Sequence, residues 1–334
     1  MRRSVVDALL ASDELPVRWK VRVGALREDP DSAPVRRLRE EIRRSPTVRR
    51  LLAGHAALRP RTYAKWRGGH WVLLALADLG YPAGDTGLLP LCDEVLGRWL
   101  DGRYFREYVP PESGAGAARA AVPVVKGRYR RCASQQGGAL LAVTRLGLAG
   151  GRAAQLAERL QHWQWPDGGW NCDRAPDAGS SSVYETLLPM RALSAYGKSA
   201  GDVAARRAAS RAAEVLLSRR LVFRRSTGRP IRTDWLRLHY PVYWHYDVLS
   251  ALKGLAEAGQ TGDPRCGDGL DLLQRKKLPD GGWAAEAAYH RSDGVRGTGD
   301  YVDWGGVDTG RMNEWVTADA LGVLAASGRY RGDG

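Results

Sequence analysis

Nine consecutive residues, His239-Tyr240-Pro241-Val242-Tyr243-Trp244-His245-Tyr246-Asp247, hold two histidines, three tyrosines, a tryptophan and an aspartate. A carboxyl partly desolvated among aromatic rings has a raised pKa and can serve as an acid. Histidine is its natural partner near neutrality. Tryptophan and tyrosine faces can stabilise a developing cation. The same residues could equally pack as an aromatic core.

Four other clusters offer related chemistry. Trp66, His70 and Trp71 form one, and Asn313, Glu314 and Trp315 another. Trp170, Asn171, Cys172 and Asp173 precede Ser180 to Glu185. Arg128, Arg130, Arg131, Cys132, Ser134, Gln135 and Gln136 make the last, and its arginines suit a diphosphate or carboxylate through charge-assisted hydrogen bonds. The candidate catalytic residues are therefore Glu185, Asp247, His70, His245 and Asp173. Candidate substrate contacts are Trp66, Trp71, Arg128, Arg130, Arg131, Gln135, Trp170 and Cys172, together with His239, Tyr240, Tyr243, Tyr246, Asn313 and Trp315. Each has a plainer reading. Glu185 and Asp247 also suit helix N-termini, Cys172 a packed thiol, and His70 a buried core position.

The elements that hold these clusters repeat along the chain. Gln161-His-Trp-Gln-Trp-Pro-Asp167-Gly168-Gly169-Trp170 recurs as Gln274-Arg-Lys-Lys-Leu-Pro-Asp280-Gly281-Gly282-Trp283. Each copy follows a segment of helical apolar spacing. Pro-Asp-Gly-Gly ends the helix, the Trp covers the turn, and the Gln can bond neighbouring backbone. Five apolar segments end in glycine: Gly68–Gly80, Gln135–Gly147, Glu185–Gly197, Asp247–Gly259 and Val316–Gly328. Their starts lie 67, 50, 62 and 69 residues apart, room for one more helix each time. They are apolar on most sides, as buried helices are, and alternate with more polar stretches such as Arg206–Ser218. Helix pairs of this kind stack to bury their faces. An all-α fold with inner and outer helical layers is expected. Residues 1–45 read as a helical extension, with Arg36–Arg44 a charged amphipathic helix, and residues 46–334 as the repeat domain. No substantial β-sheet is expected.

The Q-x5-D-G-G-W elements resemble the QW repeats of squalene-hopene and oxidosqualene cyclases, and related elements of protein prenyltransferase β subunits. The resemblance runs from about Ser45 to Gly328 as architecture. It implies one α/α toroid whose inner helices surround a hydrophobic cavity, and a cyclase or transferase acting on an isoprenoid-like substrate. The D-x-D-D motif of class II cyclases and the D-D-x-x-D motif of class I terpene synthases are both absent. Where a prenyltransferase places a zinc-binding histidine after a tyrosine, this chain has Tyr184-Glu185 and Tyr246-Asp247. Its other zinc ligands, an aspartate and a cysteine two apart, have no convincing match. No metal and no cofactor are expected. Equivalent positions in a ring face the same end, so Glu185, Asp247, His70 and His245 are expected to share one cavity.

Composition narrows the remaining choices. With 51 Lys+Arg against 37 Asp+Glu the net charge is +14, which favours an anionic partner or reflects a solvated arginine-rich surface. No apolar run approaches the roughly 18 residues of a membrane span. The segment Met1–Asp7 lacks the apolar core of a signal peptide, so a cytoplasmic protein is expected. Four scattered cysteines (Cys92, Cys132, Cys172, Cys266) read as free thiols. The leading expectation is an acid–base enzyme acting on a small, apolar and possibly anionic metabolite. The alternatives are a carbohydrate-active lyase or hydrolase, with two carboxylates across a cleft, and a basic scaffold binding nucleic acid, whose affinity would fall steeply with salt.

Overall fold

Short polar residues and prolines at the expected boundaries start the helices. Ser45 accepts a hydrogen bond from Val48 N with Pro46 in the first turn, and Asn313 accepts from Trp315 N and Val316 N. The computed structural model describes residues 4–59, 61–110, 121–290 and 299–330. The outer ends of the expected domain plan, 1–3 and 331–334, lie outside the described residues. Helices hold 54% of the residues, so the chain is all-α in class, as the apolar spacing predicts. Among the described residues no helix is long and apolar enough to cross a membrane.

In chain order the helices are α1 (Val5–Leu10), α2 (Leu15–Lys20), α3 (Ala33–Arg43), α4 (Pro46–Leu58), α5 (Gly69–Asp78), α6 (Leu89–Trp99) and α7 (Ala133–Arg145). There follow α8 (Gly150–His162), α9 (Val183–Ser199), α10 (Val203–Leu217), α11 (Val248–Ala258), α12 (Gly267–Arg275) and α13 (Glu314–Ala326). The five glycine-terminated segments are α5, α7, α9, α11 and α13, buried along most of their length. Helices α8 and α12 bury one narrow stripe each. This is the alternation of inner and outer helices that the repeats imply.

Gly259 closes α11 at φ 77, in the left-handed region that glycine enters without penalty, and Gly80, Gly147 and Gly328 have similar angles. Gly197 differs, because α9 runs on to Ser199. A Cβ at Gly197 would lie 2.7 Å from Arg206 Cγ, so this glycine serves the close approach of α9 to α10.

Two compact units emerge, Met1–Ala83 with Leu217–Gly334, and Gly84–Leu216. In the first, α2 and the π-helical turn after it (Val21–Ala25) pack on α13. A Cβ on Gly24 would lie 3.4 Å from Gly322 Cα, so these two backbones nearly touch. The helices read as an N-terminal extension are thus built into the core beside the last helix. In the second unit α7 packs along α9, with Gly137 so near Pro189 that an added Cβ would sit 2.6 Å from the proline nitrogen. This unit also holds an element the sequence reading lacked. It is a small sheet of β1 (Glu107–Tyr108), β2 (Val122–Val125) and β3 (Arg128–Tyr129), ordered β1-β2-β3.

The two Asp-Gly-Gly-Trp turns are built alike. Trp170 Nε1 donates to Leu160 O at 2.9 Å and Trp283 Nε1 to Leu273 O at 2.7 Å, each satisfying a carbonyl at the end of the preceding helix. Trp170 N donates to Thr186 Oγ1 and Trp283 N to Thr317 Oγ1, which ties each turn to the next buried helix. Trp170 is 1% exposed. It was expected to contact substrate, but its indole is spent on this tie.

Candidate active site

The β2–β3 hairpin delivers Arg130, Arg131 and Cys132 to the start of α7. Arg130 N donates to Pro123 O at 2.8 Å, and Arg130 Nη1 to Ala178 O at 2.8 Å. Its guanidinium lies 4.6 Å from the Trp165 ring centre. Arg131 is buried, with its guanidinium 5.0 Å from the Tyr104 ring and its Nε donating to Gln136 Oε1 at 3.2 Å. Among the described residues its Nη2 meets no hydrogen-bond acceptor.

These side chains open on a cavity of about 300 Å³ lined by Arg98, Arg130, Arg131, Arg174, Cys132 and Cys172, with Trp99, Tyr104 and Gln135 among the rest. Four guanidinium groups around so small a space make a strongly anion-attracting site.

Glu185 stands behind the thiols. In the first turn of α9, its Oε2 accepts from Ser134 N at 3.0 Å and Ser134 Oγ at 2.8 Å, at the start of α7. Its Oε1 accepts from the Cys172 thiol at 3.4 Å. Burial raises the Glu185 pKa, and the bonds from Ser134 and Cys172 offset part of that rise. The Cys132 pKa is lowered, first by the neighbouring Cys172 thiol and then by the charges of Arg131 and Arg174, against burial and Glu185. Its bond to Cys132 and burial push Cys172 upward, so it stays a protonated donor. The site thus sets an arginine-rich wall beside a buried carboxyl and two thiols, one of which donates to that carboxyl.

The ligand atoms of Cys132, Cys172 and Glu185 lie within 4.8 Å of one another, a set able to hold a metal ion. The expectation that scattered cysteines offer no ligand set is corrected here: the Arg130–Asn171 bridge brings Cys132 beside Cys172, and the Cys172 bond to Glu185 completes the group. Thiolate and carboxylate donors suit zinc, while the adjacent Arg131 charge opposes a cation.

The remaining candidates are placed as follows. Arg128 lies over Trp165, 5.3 Å from the ring centre. Asp173 is exposed and accepts from Ala175 N in a local turn. In the other unit, Asp247 is fully buried and its carboxylate is committed to structure. Its Oδ1 accepts from Ser250 N at 2.6 Å, and its Oδ2 from His239 N at 3.1 Å with His239 Nδ1 at 2.9 Å. With Ser250 it forms a reciprocal capping box. Asp247 thus caps α11 and holds His239.

The aromatic residues expected to bind substrate in that unit pack on each other. Trp66 stacks on Tyr243 at 4.2 Å and meets Trp71 edge-on, and His70 meets Trp71 edge-on at 4.8 Å. Tyr240 stacks on Trp315 at 5.1 Å, and Tyr246 donates to Leu221 O. All but Trp315 are away from the described cavities. Trp315 and the helix cap Asn313 lie on the wall of an open cleft of about 610 Å³, with Asp280, Asp303, Asp308 and Glu314.

His245 stacks on Tyr289 at 3.7 Å, and among the described residues its Nε2 has no partner. Burial lowers its pKa from 6.5 to about 3, helped by His239 and Lys65. The unfolded chain therefore takes up this proton first, so stability is lost as pH falls from 6.5 toward 3. His245→Phe keeps the stacking and removes the proton site. Its melting temperature should fall less than that of the wild type between neutral pH and mildly acidic pH. Parallel acid profiles for the two proteins would refute this assignment.

The sequence reading passed over Cys132, Arg98, Tyr104 and Arg174 as site residues. Cys132 carried a usable signal, since it follows two arginines at a helix start, where thiols ionise more easily.

No family model matches this sequence, and no curated protein does. Solved structures similar to it include an unsaturated glucuronyl hydrolase from Bacillus sp. GL1, responsible for the degradation of glycosaminoglycan. Identity to it is 13%, with 94% of this chain and 85% of that chain covered and a TM-score of 0.43. A variant of the type II terpene cyclase MstE from Scytonema, in complex with geranylgeranyl dihydroxybenzoate, is 12% identical, with 94% and 87% covered and a TM-score of 0.42. Both are α/α-toroid folds.

Proposed function

We propose that this chain is an enzyme that holds a small anionic metabolite in the arginine-lined pocket of the Gly84–Leu216 unit and acts on it by proton transfer through Cys172 and Glu185. The observation that carries this reading is Arg131, buried and charged, with an Nη2 that meets no acceptor among the described residues while its side chain lines the cavity. A buried donor left unsatisfied costs about 1–3 kcal/mol, and a bound phosphate or carboxylate would satisfy it. Trp99 and Tyr104 give the same cavity an apolar wall, which suits the isoprenoid-like skeleton that the repeats suggest, carrying its anion toward the arginines. Glu185 is the proton reservoir: it lies behind Cys172, and Cys172 faces the cavity.

Calorimetric titration with inorganic diphosphate tests the anion site. One molecule should bind per chain, and Arg131→Met should weaken binding by about 10- to 100-fold, as loss of a hydrogen bond between charged groups does. Arg174→Gln, at an exposed position, should weaken it less and serves as the variant certain to keep the core. Absence of binding, or equal affinity in the wild type and both variants, would refute the proposal.

A further inference from the structure

We propose that Cys132 is a nucleophile that attacks an electrophilic carbon in a small anionic molecule held by the surrounding arginines. This rests on the reading of the same pocket as an anion site.

Three observations meet at this sulfur. Cys132 is the N-cap residue of the thirteen-residue helix α7, so its side chain sits at the positive end of the helix dipole, where a thiolate is favoured. It is half-buried and lines the cavity, so a ligand there can reach it. Arg131, 8% exposed and with its unpartnered Nη2, belongs to the same wall, so the expected ligand carries negative charge. The other cysteines differ. Cys92 and Cys266 are buried away from the described cavities, and burial pushes their pKa up to about 11. Cys172 donates its single thiol proton to Glu185 Oε1.

The chemistry is an addition. The sulfur lone pair forms a C–S bond at the β-carbon of an α,β-unsaturated carboxylate. The displaced π electrons move to the α-carbon, which takes a proton from Cys172, and Glu185 restores that proton to Cys172. No oxidant or reductant is needed.

Alkylation of the reduced full-length chain with iodoacetate or iodoacetamide, followed cysteine by cysteine by peptide mass spectrometry, tests the assignment. In both reagents the sulfur displaces iodide, and only iodoacetate carries the negative charge. At neutral pH Cys132 should react on the order of 10-fold or more faster than Cys92 and Cys266, as a thiolate in an accessible cationic setting does. Its rate with iodoacetate relative to iodoacetamide should exceed the ratio for glutathione. Inorganic diphosphate should slow it, and Arg174→Gln should reduce the preference for iodoacetate. Faster labelling of Cys172, or a Cys132 no faster than the buried thiols, would overturn the nucleophile while diphosphate titration still reported on the anion site. Protection of both thiols that a chelator relieves would also overturn it, in favour of a metal bound to Cys132, Cys172 and Glu185.

Discussion

Lys20→Met is expected to cost about 3–5 kcal/mol of folding stability, the loss typical of a buried ion pair stripped of one partner. Lys20 Nζ donates to Asp78 Oδ2 at 2.7 Å and to Asp319 Oδ1 at 2.9 Å. Lys253 Nζ donates to the other oxygens of the same two aspartates, at 2.7 and 2.8 Å. The Tyr240 hydroxyl adds a bond of 3.0 Å to Asp78. Two cations and two anions thus balance in a closed ring that joins α2, α5, α11 and α13. The Lys20 side chain is only 5% exposed and that of Asp319 7%. Burial lowers the Lys20 pKa, and the charges of Asp319 and Asp78 raise it back in part. Methionine fills the same space and removes the charge, leaving two buried carboxylates to share one lysine.

Denaturant unfolding of the variant measures the loss, with Arg232→Met as the reference. Arg232 pairs with Asp234 at the surface, where both side chains are at least half exposed. That change should cost no more than about 1 kcal/mol. If Lys20→Met matched Arg232→Met, the ring would be a bystander and not a tie.

Glu185→Gln should lower turnover by about 100-fold or more while leaving the protein folded. The amide oxygen of glutamine can still accept from Ser134 N and Ser134 Oγ, so the link from α9 to α7 survives. The exchangeable proton does not. Burial raises the pKa of Glu185 above the ordinary carboxyl value. A rate that requires its protonated form is full below that pKa and declines as pH rises through it, at higher pH than for an exposed glutamate. Glutamine should remove this limb of the profile as well as the rate. Isoprenoid diphosphates and unsaturated carboxylates are the substrates to screen, with melting temperature measured in parallel. A Glu185→Gln protein with unchanged rate and profile would reduce Glu185 to a helix-start residue. Asp247→Asn provides the contrast, because the carboxylate it alters faces His239 and Ser250 rather than a cavity.

Much of the scaffold was legible because its causes are local. Apolar residues at helical spacing marked α5, α7, α9, α11 and α13, and glycine past the last turn marked the ends of four of them. The two Asp-Gly-Gly-Trp turns close through bonds to a carbonyl ten residues back, so ten residues of matching sequence suffice to build the same turn twice. Ser250, three residues after Asp247, is the local sign that Asp247 caps α11. Arg130 and Arg131 stood out as candidate anion contacts because their charge and fork geometry suit that task wherever the chain places them.

Which side chains face a cavity was decided by tertiary packing. Trp66, Tyr243 and His70 have the composition of an aromatic pocket, yet they pack on each other, since burial in a core and burial around a ligand impose the same residue types. Glu185 and Ser134 are 51 residues apart and meet only because α7 and α9 lie side by side. The Arg130–Asn171 bridge joins Cys132 to Cys172, which spacing alone read as scattered thiols. The sequence by itself determined the helices, their caps and the positive charge, because those depend on neighbours within a few residues. The tertiary structure decided which carboxylate is desolvated and which thiols meet it, because those properties depend on what other segments bring within a few ångströms.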